Sequence, residues 1–216
     1  MFRTTRGRRR LASAILAAAA VLTPALVPTA TAHAAPHAAP HSAPHAAPRA
    51  AAHPAVPAAK RLDITMQAQQ NSNWCWAASG NTIASWFGRH YTQTQFCDAA
   101  FNRPQGSTCG NWQAALDDVQ NALDWMGINP GTYVGGYLRY STVQNEINAG
   151  RPIETRIQWS SGGGHMHVLY GYDTSDNQVY WGDPWPSNYR YNWADYDYYV
   201  SNDSFTWTHS LYRIGA

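Results

Sequence analysis

At 216 residues and a formal net charge of +2, the chain has room for one ordinary domain and additional segments. The charge is uneven: from Leu62 onward there are seven arginines and no lysine against thirteen Asp and Glu, a net −6. An acidic surface argues against phosphate-backbone binding, so no nucleic-acid partner is expected, and sparse charge among many Trp and Tyr residues argues against disorder.

Residues 1–34 read as an export signal. Arg3, Arg6, Arg8, Arg9 and Arg10 precede an apolar stretch from Leu11 to Val27, and Ala32-His33-Ala34 fits the small-x-small rule of signal peptidase. Pro24 and Pro28 break a run that a bilayer span would need for roughly 20 residues, so no stable membrane anchor is expected after cleavage. Arg8-Arg9-Arg10-Leu11 also fits a twin-arginine signal, leaving the export route open. A secreted protein beginning near Ala35 is the expectation. Residues 35–61 repeat Ala, Pro and His, which offer little area to bury, and read as a spacer or pro-segment. His37, His41, His45 and His53 are metal-ligand types, but the tract reads as a solvated linker.

The globular domain, 62–216, is predicted to begin with helices. Asn71-Ser72-Asn73 offers caps for a largely buried helix in WCWAASGNTIASWFG that Gly88 ends. A second helix is predicted from Thr92 to Phe101. Trp112, Leu116, Val119, Leu123 and Met126 recur every three or four residues and predict a third from Asn111 to Met126. A fourth runs from Ser141 to Asn148. From Pro152 the pattern turns to alternation: PIETRIQW, HMHVLYGYD, NQVYWGD and FTWTHSLYRI read as strands, the middle two joined as a hairpin by Thr174 to Asn177. Helices first and antiparallel strands second predict an α+β domain of two packed parts with a cleft between them.

Three cysteines leave one thiol over in an exported protein. Cys97 and Cys109 flank a Gly, Pro and Ser-rich loop that a disulfide can close, and Cys75 stands apart at a predicted helix start, where unpaired amides and the dipole favour a thiolate. Gln69, six residues earlier, can place an amide beside the Cys75 N–H as an oxyanion hole, with Gln67 and Gln70 as competitors. His165 opens a strand after Gly162-Gly163-Gly164, and His167 points to the same side by alternation. Asp183 lies across the hairpin, where a carboxylate can fix an imidazole's tautomer and orientation.

The run QQNSNWCWAAS resembles the active-site segment of papain-like cysteine peptidases, especially the bacterial branch of double-glycine leader peptidases and secreted effector proteases. HMHVLYGY is similar to the family's His segment, and Asp183-Pro184 to the Asp-Pro that follows it in the double-glycine peptidases. The resemblance, from about Asp63 to Trp185, implies a papain-like fold and a thiol peptidase. It implies Cys75 as nucleophile, His165 rather than His167 as base, Asp183 as its orienting group and Gln69 in the oxyanion hole. A protein or peptide substrate, a monomer and no cofactor are then expected. The specificity of transporter-linked relatives does not carry over.

Three other readings compete. Cys75, His165, His167 and Asp183 are zinc-ligand types, yet the helical His pair of zinc proteases is missing and no metal is expected. The aromatic stretch from Tyr180 to Trp207 suits a binding module as well as a core. A cell-wall peptide amidase would use the same Cys-His pair.

Overall fold

The computed structural model describes residues 56–216. The export signal, its cleavage site and the spacer through residue 55 lie outside the described residues. The rest is α+β as predicted, with helices α1 (Cys75–Trp86), α2 (Gln93–Ala100) and α3 (Leu116–Trp125) ahead of most of an antiparallel sheet.

Local chemistry sets where the helices start. The Thr92 side chain accepts the Gln95 N–H, and the Gln95 side chain accepts the Thr92 N–H, a reciprocal cap that begins α2. The expected caps of α1 serve another purpose. Trp74 occupies the cap position with no side-chain capping bond, while the Asn73 N–H donates to Asn111 Oδ1 and Asn111 Nδ2 donates to Ser72 Oγ. Asn111 is thereby held outside any helix, and α3 begins at Leu116 instead, with Asp118 accepting the Ala115 N–H.

The sheet contains β1 (Ala59–Arg61), β2 (Thr132–Val134), β3 (Ile153–Trp159), β4 (Gly164–Asp173), β5 (Gln178–Gly182), β6 (Tyr191–Asp195) and β7 (Phe205–Tyr212), in the order β2-β7-β3-β4-β5-β6. Helix α4 (Tyr140–Asn148) precedes β3, and a short α5 (Tyr196–Val200) follows β6. β1 pairs with Gly171–Asp173 of β4, beyond the end of β3. Residues 59–61, read from sequence as spacer, thus belong to the sheet, where they satisfy backbone groups that β3 leaves free. β1, β2, β6 and α5 escape the sequence reading. β6 alternates exposed with half-buried residues and carries no apolar signature.

Two features position the site. Helix α1 is buried from Trp76 to Ala84 and packs on β4, where Ser79 Oγ donates to the Met166 carbonyl. The turn from β3 to β4 uses Gly162 and Gly163 at φ of 93° and 79°, a region that glycine enters without the Cβ penalty. These two glycines bring β4 back across β3 with His165 near the sheet's end.

Candidate active site

Cys75 is the first residue of α1, half-buried, and the free cysteine among the described residues. Its N–H therefore has no partner within the helix and sits at the positive end of the dipole. Cys97 and Cys109 form a disulfide with Cα atoms 6.1 Å apart, as the sequence predicts. Just past Cys109, the Gly110 carbonyl accepts Trp74 Nε1 at 2.9 Å and the Trp112 carbonyl accepts Trp76 Nε1 at 3.1 Å. The tryptophans flanking Cys75 are thus moored to the disulfide loop.

On the sheet side, His165 Nε2 lies 2.7 Å from Asp183 Oδ1, leaving Nδ1 for the thiol. Asp183 Oδ1 also accepts the Trp185 N–H at 2.8 Å, and Oδ2 accepts Asn188 Nδ2 at 2.8 Å. Burial by itself would raise the Asp183 carboxyl. The hydrogen bond from His165 and the nearby His167 imidazole reverse that and hold it well below the usual carboxylate range. Burial would likewise lower His165, but hydrogen bonds to Asp183 and to Cys75 raise it to about 9. Trp159 stacks on the His165 ring, and Trp185 meets it edge-on, screening the pair from solvent.

A cavity of about 300 Å³ is lined by Cys75, His165, Trp159, Trp185 and Arg156, among others. His167 is not among its lining residues. Its ring sits 4.9 Å from that of His165, with Nδ1 3.2 Å from Tyr199 Oη and Nε2 3.7 Å from Asp183 Oδ2. Complete burial lowers its pKa, and the neighbouring His165 charge lowers it further against the pull of Asp183, so it stays neutral.

Gln69 is buried in the turn ahead of α1, but its amide is already engaged. Nε2 donates to the carbonyls of Asn71 and Ser72 at 2.9 and 2.8 Å, and Oε1 has no partner within the protein. Gln67 is bound elsewhere, its Nε2 donating to Ser85 Oγ, and the backbone N–H of Gln70 donates to Gln93 Oε1.

His165, His167 and Asp183 hold ligand-type atoms within 4.8 Å of one another. His165 Nε2 and Asp183 Oδ1 are spent on each other, and His167 Nε2 alone is unpartnered, so a cation would have to break the central hydrogen bond. The cluster is built as a hydrogen-bonded network rather than a metal cage.

Residues 58–201 match the family described as papain-like cysteine protease AvrRpt2. The chain belongs to this family. It is accordingly a cysteine-type peptidase, and its substrates are peptides or proteins. Among solved structures, the peptidase domain of Streptococcus ComA, a bifunctional ABC transporter of a quorum-sensing pathway, matches with a TM-score of 0.50 and 18% identity, over 72% of this chain and 97% of that one. Xylellain, a cysteine protease from Xylella fastidiosa, gives 0.49 and 12%, over 73% and 86%. The ComA likeness bears on the fold, which is papain-like as the sequence implies. No curated protein matches.

Sequence reading missed several residues of this family member's site. Arg156 and Trp159 sit in PIETRIQW, which reads only as a strand, and Trp185 was one aromatic in a crowded stretch. Glu154 was also passed over. It is fully buried on β3 with neither carboxyl oxygen hydrogen-bonded, and burial first, then the charge of Cys75, raises its pKa well above the usual carboxylate value. Its place in an alternating strand gives no sign of that burial.

Proposed function

We propose that the protein is an exported peptidase that cleaves peptide bonds through a covalent acyl-enzyme on Cys75. The observation that supports this reading is the hydrogen bond from His165 Nε2 to Asp183 Oδ1, at 2.7 Å, with Cys75 at the start of α1 lining the same cavity as His165. His165 takes the thiol proton, and Cys75 Sγ attacks the carbonyl carbon of the scissile amide. The oxyanion forms against the Cys75 N–H, which has no partner within α1. Gln69 supplies the second donor once one of its two carbonyl bonds yields to substrate. His165 then protonates the leaving amine as the C–N bond breaks, leaving a thioester. Water attacks the thioester, His165 accepts its proton, and the C–S bond breaks to release the carboxyl product.

Asp183 holds the imidazole in one tautomer and stabilises its cation. His167 supports Asp183 from behind. The basic start and AHA site support export, maturation near Ala35 and secretion.

The test is labelling of the purified exported form by a peptidyl epoxide or acyloxymethyl ketone, followed by peptide mapping. Modification at Cys75, abolished by His165→Ala, supports the mechanism; unmodified Cys75 with intact peptidase activity removes it. N-terminal sequencing of the extracellular form that finds Met1 would remove the export reading.

A further inference from the structure

Among the described residues, Arg156 is the one Arg or Lys side chain to line the cavity of Cys75 and His165, and it has no acidic partner there. On the neighbouring strand, His165 is already paired with Asp183. Arg103 and Arg151 form the ion pairs made by arginine among the described residues, with Asp98 and Glu146. Arg156 instead donates Nη1 to Thr208 Oγ1 at 2.9 Å and Nη2 to Gln158 Oε1 at 3.0 Å. Both acceptors are neutral, and a guanidinium has five donors, so most of its fork is unspent.

The backbone is shaped to aim this side chain. Between Arg156 and Ile157 the pairing of β3 with β7 shifts, from His209 opposite Arg156 to Trp207 opposite Ile157, so Thr208 is the extra residue of a bulge. That residue grips Arg156 at both ends: its hydroxyl takes the guanidinium bond and lies 3.2 Å from the Arg156 carbonyl. On the other side, a Cβ on Gly164 would lie 2.6 Å from Arg156 Nη2. The missing side chain immediately before His165 leaves the guanidinium its place beside the reacting centre. Trp159 and Trp185, on the same cavity wall, lower the local polarity and strengthen a charge pairing there.

We propose that Arg156 is a specificity determinant that binds a carboxylate of the peptide substrate at a fixed remove from the scissile bond. The carboxylate comes from an Asp or Glu side chain or from a free C-terminus. The proposal rests on the reading of Cys75 and His165 as the reacting pair.

Two measurements test it separately from that reading. The first maps cleavage of a proteome-derived peptide library by the wild type, Arg156→Gln and Arg156→Glu. The wild type enriches a carboxylate at one position. Arg156→Gln loses that enrichment with a fall in kcat/KM of about tenfold or more for acidic peptides, the size expected for losing a charge-assisted hydrogen bond. Arg156→Glu shifts the preference toward Lys or Arg. Blocking the library's C-termini as amides separates the sources: a preference that survives belongs to side chains, and one that vanishes belongs to the terminus. The second measurement needs no turnover and compares alkylation of Cys75 by iodoacetate and iodoacetamide. Arg156→Gln lowers the ratio of the two rates several-fold with the iodoacetamide rate unchanged. Arg156→Lys, which keeps the charge, covers the case in which the glutamine variant fails to fold, and it retains the ratio. A library profile with no carboxylate preference, or one that Arg156→Gln leaves intact, overturns the proposal. Failure of the peptidase reading would show instead as no cleavage by the wild type, and the alkylation ratio would then decide the role of Arg156.

Discussion

The two sides of the cleft are built differently. On the sheet side the His165–Asp183 pair is fully engaged: His165 meets Asp183, and Asp183 meets Trp185 and Asn188, with His167 held against Tyr199 behind them. The helix side is provisional. Cys75 is half-buried with no capping side chain, and its loop is held by bonds to the 110–112 segment and by a glutamine whose acceptor oxygen has no partner. In the proposed mechanism the base and its carboxylate are pre-assembled, whereas Gln69 has to exchange one of its carbonyl partners when substrate arrives. Breaking a buried charged pair leaves an uncompensated charge, whereas a neutral amide donor can exchange one acceptor for another at lower cost.

Removing the thiol, or a group of the sheet-side pair, should have the largest effects. Cys75→Ala and His165→Ala should abolish turnover with the fold intact by circular dichroism. Asp183→Asn should lower kcat by up to about 10⁴-fold, because the wrong tautomer is then held. His167→Ala should mainly lower Tm. If His167→Ala stops turnover and His165→Ala spares it, the roles are reversed.

Gln69→Ala probes the provisional side and should cost on the order of 10² in kcat. Equal loss of Tm and of kcat would instead make Gln69 a brace for the carbonyls of Asn71 and Ser72.

The raised pKa of His165 gives a pH test. In the proposed mechanism its imidazolium protonates the leaving amine, so kcat/KM should fall about tenfold per pH unit above about 9. Asp183→Asn should move that limb toward neutral, since it removes the main interaction holding the proton. For stability the sign is fixed by linkage. The contribution of His165 is complete below its unfolded pKa of about 6.5 and is lost as pH rises through about 9. An unshifted limb in Asp183→Asn would break the coupling.

The disulfide bears on the helix side alone. Cys97→Ser with Cys109→Ser should lower stability by about 3 kcal/mol through loop entropy and reduce activity several-fold by loosening the mooring of Trp74 and Trp76. The smallest effect concerns Glu154. It holds its proton to higher pH in the fold than in the unfolded chain, so it weakens the protein as pH rises above the ordinary carboxylate range. Glu154→Gln should flatten that decline in Tm on the alkaline side of the ordinary carboxylate range.

Much of this was legible in the sequence. Cys75 and the WCWAAS helix, the strand of His165, the hairpin to Asp183 and the disulfide pair all appear as local patterns, because helical periodicity, strand alternation and loop length are properties of neighbours along the chain. The linear order also fixed the α+β layout. Other choices belonged to tertiary structure alone. Alternation puts His165 and His167 on one face, and only the landing point of α1 against β4 places one ring in the cavity with Cys75 and the other behind it. Asn111 looked like a helix residue until the Cys75 loop claimed its side chain. Arg156 became a cavity cation because Thr208, 52 residues away, bulges out of register to hold it. Each of these depends on groups distant in sequence meeting in one volume, and a pattern read along the chain carries no information about which partner a polar side chain will find there.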